Sequence, residues 1–523
     1  MKKDSLSTDN QISYLSYSNY YSNPFYLRSL SKLCGIEAAP LESAKILELG
    51  CASGGNILPY AMKFPQAQII GVDFSAVHIR SANDFKEQAG LSNIEFVHGD
   101  IVDVDFSFGQ FDYIIVHDVY SWVSEITRTK ILNICKENLS SNGLVYINYN
   151  TLPGWNSLAT IREMALYHAN NFESTSEKIA QIRLLLDFVK EAVQESNSAY
   201  SRLIIETVEM LKGKPDFSIA HDFLESNGQA FYFSRFIQDA GGNGLQYLVD
   251  AEVSKMYINN YSKVISDRLG EIDNVVRMEQ YLDFIVNRAY RQTILCHDSL
   301  PINRNLELNA IVDFYFKMDL VADLDKGISY DNPDEEIKFY INNSREDVIS
   351  TKNPILKTIL ETLSEQTQYL SFDDLITRAK EKLVQWDTQE IESQAKISLM
   401  DLFLKGKIEI RSDLIVTNSN EIDSPKAWEY AVQQCIYLKQ NIVTNIFFET
   451  VQLTLFEFYL IRYLDGENTR EDILKSMLKH FKNGDLETNY GGKKVTSEEK
   501  LLGIISLAYI DAIEKLERQA LLV

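Results

Sequence analysis

Residues 47–56, LELGCASGGN, place an acid two positions before one glycine and a glycine pair shortly after it. Glu48, Gly50, Ala52, Gly54 and Asn56 have the types and spacing of a strand-to-helix corner that can hold a nucleoside. A dinucleotide corner wants glycine where Ala52 stands, so that the backbone can approach a diphosphate. Glu48 repels phosphate and suits a cation, while a tightly packed corner with no ligand is the plain alternative. Asp73, with Phe74 beside it, stands about twenty residues on, where an acid accepts from two ribose hydroxyls in either nucleotide class. Asp100, followed by Ile101 in HGDI, suits an adenine amino group, or simply caps a turn. The stretch HDVYSW brings His117, Asp118, Tyr120 and Trp122 together, and Tyr149 and Trp155 follow in NYNTLPGW. These are groups that can line a channel or accept a proton.

The elements that must position them alternate. KILELG, AQIIGVDFS, IEFVHGDI, FDYIIVHDVYSW and GLVYINYNT read as strands, separated by stretches of helical spacing. That alternation predicts an α/β fold with a doubly wound, mostly parallel sheet. Ligands of such sheets bind beyond the carboxyl ends of the strands. The residues named above therefore fall on one rim.

LELGCASGGN, GVDFS, HDVYSWV and NYNTLPGW together resemble a class I S-adenosylmethionine-dependent methyltransferase. With AFYFSRFIQDAGGNGLQYLVDAE and RQTILCHDSLPINR downstream, the resemblance narrows to bacterial methyltransferases with an appended methyltransferase regulatory domain. It extends to the rickettsial lysine methyltransferases of outer-membrane proteins. The family motif usually runs His-Gly before the aromatic pair, and Asp118 stands at that glycine. The resemblance implies a Rossmann-like fold, S-adenosylmethionine as cofactor, a protein substrate at the outer membrane or cell surface, and a homodimer. Cofactor contacts then fall to Glu48, Gly50, Ala52, Gly54, Asn56, Asp73, Phe74, Asp100, Ile101 and His117. Tyr120, Asp118, Tyr149 and Trp122 fall to catalysis. A lysine amine attacks only when neutral, which costs about 4 kcal/mol near neutral pH. Aromatic walls and a nearby sulfonium both favour the neutral form. No metal is needed.

Of 523 residues, 51 are basic and 74 acidic, a net charge of -23 that disfavours a nucleic-acid partner. Five dispersed cysteines fit reduced thiols and a cytoplasmic setting rather than disulfides or zinc. No apolar run is long enough for membrane insertion. Residues 1–40, with Tyr14, Tyr17, Tyr20, Tyr21 and Phe25, read as an aromatic lid. Residues 41–165 and 216–260 make the Rossmann-like domain. Residues 166–215 are a protruding helical insertion suited to dimerisation. Residues 261–350 form a middle or regulatory domain, and 351–523 a C-terminal α+β, winged-helix-like domain with KIEIRSDLIVTN as a wing. Thr496 and Glu499 give its last helix a capping-box start. A small-molecule methyltransferase and a non-catalytic cofactor-binding scaffold are the alternative functions.

Overall fold

The apolar runs form seven strands of one sheet: β1 (Lys45–Leu49), β2 (Gln68–Asp73), β3 (Ile94–His98), β4 (Phe111–Val116), β5 (Leu139–Asn150), β6 (Leu245–Asp250) and β7 (Tyr290–His297). Their order is β3-β2-β1-β4-β5-β7-β6, with β7 antiparallel to both its neighbours. The computed structural model describes residues 16–225, 227–304, 306–323, 335–341, 344, 346–366, 368–415, 423–490, 493–495 and 497–523. Tyr14 and Thr496 lie outside them. The chain divides into two units, one holding Ser16 and Gly35–Ile302, the other Tyr17–Cys34 and Asn303–Val523.

In the first unit, side chains alternate across the sheet. Val145, Ile147 and Tyr149 of β5 point into a core shared with Leu47, Leu49, Ile114 and Val116. That core is closed by Ile131, Leu132 and Cys135 of the helix Glu125–Glu137 and by Phe236 and Ala240 of the helix Phe233–Gly242. The intervening residues of β5, Tyr146, Asn148 and Asn150, belong to the other face. Registers link Glu48 to Ile115 and Ile115 to Tyr146, so Glu48 shares that second face.

β7 corrects the expected boundary of a middle domain at 261–350. Tyr290–His297 hydrogen-bonds between β5 and β6 and completes the sheet. The helix Val275–Val286 is tied to it by charge. Arg291 of β7 is fully buried, with ion pairs to Glu279 and Asp283 of that helix and to Asp250 of β6. Its guanidinium also stacks 3.8 Å from the Phe233 ring. Cys296 is buried within β7, and the His297 ring lies 3.2 Å from the Leu139 carbonyl, so this adjacent pair serves the sheet.

The expected two-helix insertion is a four-helix body. The helices Thr175–Val193 and Ala199–Lys212 bury Ile182, Ile204 and Val208 against Ile161 of Trp155–Ala169 and Phe223 of Asp216–Leu224. Their inner faces are thereby covered within the chain.

The second unit holds the residues expected to form a lid. Asn23 caps the helix Pro24–Leu33, its side chain accepting from the Phe25 N–H, and Pro24 sits in the first turn. Phe25, Leu27, Leu30 and Leu33 are buried. The Arg411 guanidinium lies 5.4 Å from the Phe25 ring and 6.0 Å from Tyr20, with Tyr369 and Phe447 also at hand. Phe25 is thus a core aromatic of this unit, because an amphipathic helix needs an apolar face to cover, and Tyr20 stands partly buried beside it. Glu409–Arg411 pairs with Tyr315–Lys317, not with a following wing strand among the described residues. The helices Leu455–Leu460, Arg470–Asn483 and Glu498–Arg518 flank a short hairpin of Asn489–Tyr490 with Lys493–Lys494. Among the described residues no helix is long and apolar enough to cross a membrane.

Candidate active site

The corner after β1 depends on close approach. Gly50 has φ +79° and Gly54 φ +78°, conformations that favour glycine. A Cβ on Gly50 would lie 2.3 Å from Val119 Cγ2, and one on Gly54 2.6 Å from the Phe96 ring. Ala52 also has positive φ, 46°. Asp73 holds it there: one carboxylate oxygen accepts from the Ala52 N–H at 2.8 Å, the other from Ser75 N–H at 2.8 Å. That tie is a structural role for Asp73, unread in the sequence, and a carboxylate so bonded retains lone pairs that ribose hydroxyls could use. From the other side, Gly55 N–H donates to Ser16 Oγ at 2.9 Å.

Beneath the corner Glu48 is only 2 % exposed. Asn56 donates to its Oε1 at 2.8 Å, and Oε2 is buried with no hydrogen-bond partner among the described residues. Burial pushes its carboxyl up to about 8; the Asn56 bond opposes this and the Asp73 charge adds to it. A buried carboxylate with an open oxygen calls for a cation, as an amino-acid ammonium would be. At the rim the Phe74 ring is 71 % exposed, a bare face beside Asp73. Asp100 caps the one-turn helix Ile101–Asp103, accepting from Val102 N–H at 3.1 Å, so the turn-capping role is real.

After β4 the backbone turns at Asp118, with φ 55°. Its N–H donates to Asn148 Oδ1 at 2.6 Å, and its Oδ1 accepts from Asn148 Nδ2 at 2.8 Å and from the Tyr290 hydroxyl at 2.9 Å. Asn148 Nδ2 also contacts the Tyr290 hydroxyl. His117 Nε2 is 3.9 Å from the other oxygen, Oδ2, and its ring stacks on Tyr146. Burial would raise the Asp118 carboxyl, but His117, His221 and the bonds from Tyr290 and Asn148 hold it below the usual aspartate range. The Trp122 ring meets Trp155 at 5.9 Å and His221 at 4.6 Å. Asn148, Tyr290 and His221 were missed in the sequence. Asn148 alone had a local signal, an amide following the apolar run 144–147.

Tyr120 and Tyr149, expected beside the reacting amine, are placed elsewhere. Both lie in the core on the face opposite Glu48 and Asn148, 3 % and 1 % exposed. They pack against Phe236, and the Tyr149 hydroxyl bonds Thr293 Oγ1. The period-two alternation of β5 puts Tyr149 with Ile147, not with Asn148.

Residues 46–143 match a methyltransferase domain, 215–297 a predicted methyltransferase regulatory domain, and 423–521 the C-terminal winged helix domain of PKMT proteins. Uncharacterized protein RP789 of Rickettsia prowazekii is 39 % identical over 515 residues, 98 % of this chain and 93 % of its own. The structure of PKMT2 from Rickettsia typhi in complex with AdoHcy is 32 % identical, with a TM-score of 0.90 over 97 % of this chain and 99 % of that one. The chain belongs to the PKMT family of class I S-adenosylmethionine-dependent methyltransferases.

S-adenosylmethionine is its cofactor, and the residues present fit it. The orphaned Glu48 oxygen suits an ammonium, and Val119 and Phe96 pack so closely on Gly50 and Gly54 that the corner above it keeps one shape. In this PKMT-family chain, Asp73 would take the ribose, with Asp100, Ile101 and the Phe74 ring beside the adenine. When bound, the cofactor supplies an electrophilic methyl on a sulfonium.

Proposed function

We propose that this PKMT-family protein is a protein lysine N-methyltransferase acting in the cytoplasm on an outer-membrane or surface polypeptide. One observation carries the reading. A carboxylate held ionised at Asp118 adjoins Val119, which packs on Gly50 of the cofactor corner, so an anion stands where an acceptor must approach. An anion there attracts a cationic side chain and repels an acidic one. The indoles of Trp122 and Trp155 suit the methylene stem of lysine and desolvate its amine. Full-length similarity to PKMT2 supports a polypeptide substrate, since the second unit, Asn303–Val523, lies outside the cofactor fold. The exposed Leu184 and Phe188 of Thr175–Val193 support a homodimer in which a second copy covers them. Incubation with radiolabelled cofactor and fractionated outer-membrane protein tests the substrate class. Label in protein is the expected result. Label confined to nucleic acid or metabolites refutes it.

A further inference from the structure

Tyr120, Tyr149 and Asp118 were the leading candidates to receive the acceptor's proton, with His117 a further one. The two tyrosines are on the wrong face of the sheet. Asp118 is on the right one, but it is a poor base. Its carboxyl lies below the ordinary value, and free lysine titrates at about 10.4, so moving a proton from ammonium to Asp118 runs uphill by roughly a millionfold or more. Its geometry indicates a different task. Oδ1 is saturated by two donors from two strands, Asn148 Nδ2 of β5 and the Tyr290 hydroxyl of β7. The Asn148 carbonyl also grips the Asp118 N–H, fixing the left-handed turn at which an aspartate is otherwise strained. Oδ2 has no donor at hydrogen-bond distance among the described residues; His117 Nε2 stands 3.9 Å off, and the side chain is one-third exposed at 34 %.

We infer that Tyr290 and Asn148 are positioning residues that clamp Asp118 so that its Oδ2 receives an N–H of the incoming primary amine, beside the wall formed by Trp122, Trp155 and His221. This rests on the lysine reading above and names the group that would orient the nucleophile. A carboxylate oxygen holding one N–H fixes the nitrogen's direction, and a lone pair can then face the methyl. The same oxygen rejects acceptors that offer no donor hydrogen, and its charge favours a cationic amine over a hydroxyl. Deprotonation of the ammonium is left to water, before attack, and the proton left after transfer departs the same way. Tyr290 enters from a strand whose sequence distance from Asp118 is 172 residues, which is why no motif reveals it.

Two nitrogen-bridged analogues of AdoHcy separate the outcomes. They are identical except that the arm replacing the methyl ends in a primary amine in one and a hydroxyl in the other. Calorimetric titration of the full chain with both, and with AdoHcy, reads an arm-selectivity ratio that a merely structural defect does not move. The wild type is expected to favour the amine arm by about tenfold or more. Tyr290→Phe and Asp118→Gly should each lose most of that ratio while AdoHcy affinity stays within about twofold. Glycine at 118 keeps the left-handed turn, so that variant folds without the carboxylate. A Tyr290→Phe protein that keeps the ratio overturns the clamp but spares the lysine reading. One that loses AdoHcy affinity as well assigns Tyr290 to the fold and also overturns the clamp. A wild-type ratio near one removes both the clamp and the amine acceptor.

Discussion

Asn56 Nδ2 donates to Glu48 Oε1 at 2.8 Å and leaves Oε2 buried without a partner among the described residues. An asparagine can satisfy one oxygen of a carboxylate and cannot neutralise its charge. Glu48 is therefore raised to about 8 and is mostly protonated near neutral pH. A bound ammonium reverses the balance, because an opposite charge favours the ionised form.

Cofactor binding should therefore release close to one proton per site near pH 7, falling towards none above about pH 9. Titration with AdoHcy in buffers of different ionisation enthalpy measures it. Glu48→Gln should abolish the release and weaken binding by about tenfold or more. A binding enthalpy independent of buffer contradicts the assignment of Glu48 to the ammonium.

The same shift bears on the ligand-free protein. The folded carboxyl titrates above its unfolded value of 4.5, so the native state holds more protons than the unfolded chain between 4.5 and about 8. Stability then declines as pH rises through that window and levels off above it. Glu48→Gln should flatten this decline in a series of thermal melts.

Gly50→Ala combines a strained φ with a Cβ 2.3 Å from Val119 Cγ2, and should cost about 2–4 kcal/mol and abolish AdoHcy binding. Gly90→Ala has positive φ too, +64°, but its Cβ meets nothing within 4 Å among the described residues. It should cost only about 1 kcal/mol and leave binding unchanged. Denaturant unfolding and calorimetry distinguish crowding from backbone strain.

Arg291 compensates three buried carboxylates, Asp250, Glu279 and Asp283. Burial raises Glu279 and Asp250, and the Arg291 charge pulls both back. Arg291→Met strands those acids and should destabilise the first unit by about 3–5 kcal/mol. Adding Glu279→Gln should recover part of the loss, read by thermal unfolding as a double-mutant cycle.

Tyr149→Phe removes one buried hydrogen bond to Thr293 and should cost about 1 kcal/mol, with methyl-transfer kcat kept within about twofold. A loss of kcat by orders of magnitude at unchanged stability would return Tyr149 to the chemistry.

Much of the first unit was legible. Each apolar run from KILEL to LVYINYN became a strand because its composition and its bounding turns agree. β7 was placed in the middle domain, since RQTILCH has only the three apolar residues 294–296 among four polar ones. Its partners are β5 and β6, and no local property of residues 290–297 announces a strand inserted between two others. Glu48 stood out in the sequence because an acid before a glycine corner has few uses, and the structure buries it with one oxygen unpartnered among the described residues. The Asp73 tie to Ala52 was not, since it needs the loop to fold back on β2. Tyr149 could have been placed correctly: Val145, Ile147 and Tyr149 share one parity, Asn148 and Asn150 the other. Tyr20 and Phe25, expected in a lid, stand beside Arg411 in the second unit, since aromatic clustering does not say which neighbours it will meet.

The most direct test is transfer from a cofactor carrying a deuterated methyl to an outer-membrane protein fraction, followed by fragmentation mass spectrometry of the labelled peptides. The account predicts deuterated methyl on lysine Nζ, lost with Asp118→Gly. Deuterated methyl on carboxylate, amide or hydroxyl oxygen and nitrogen, with none on lysine, would contradict it.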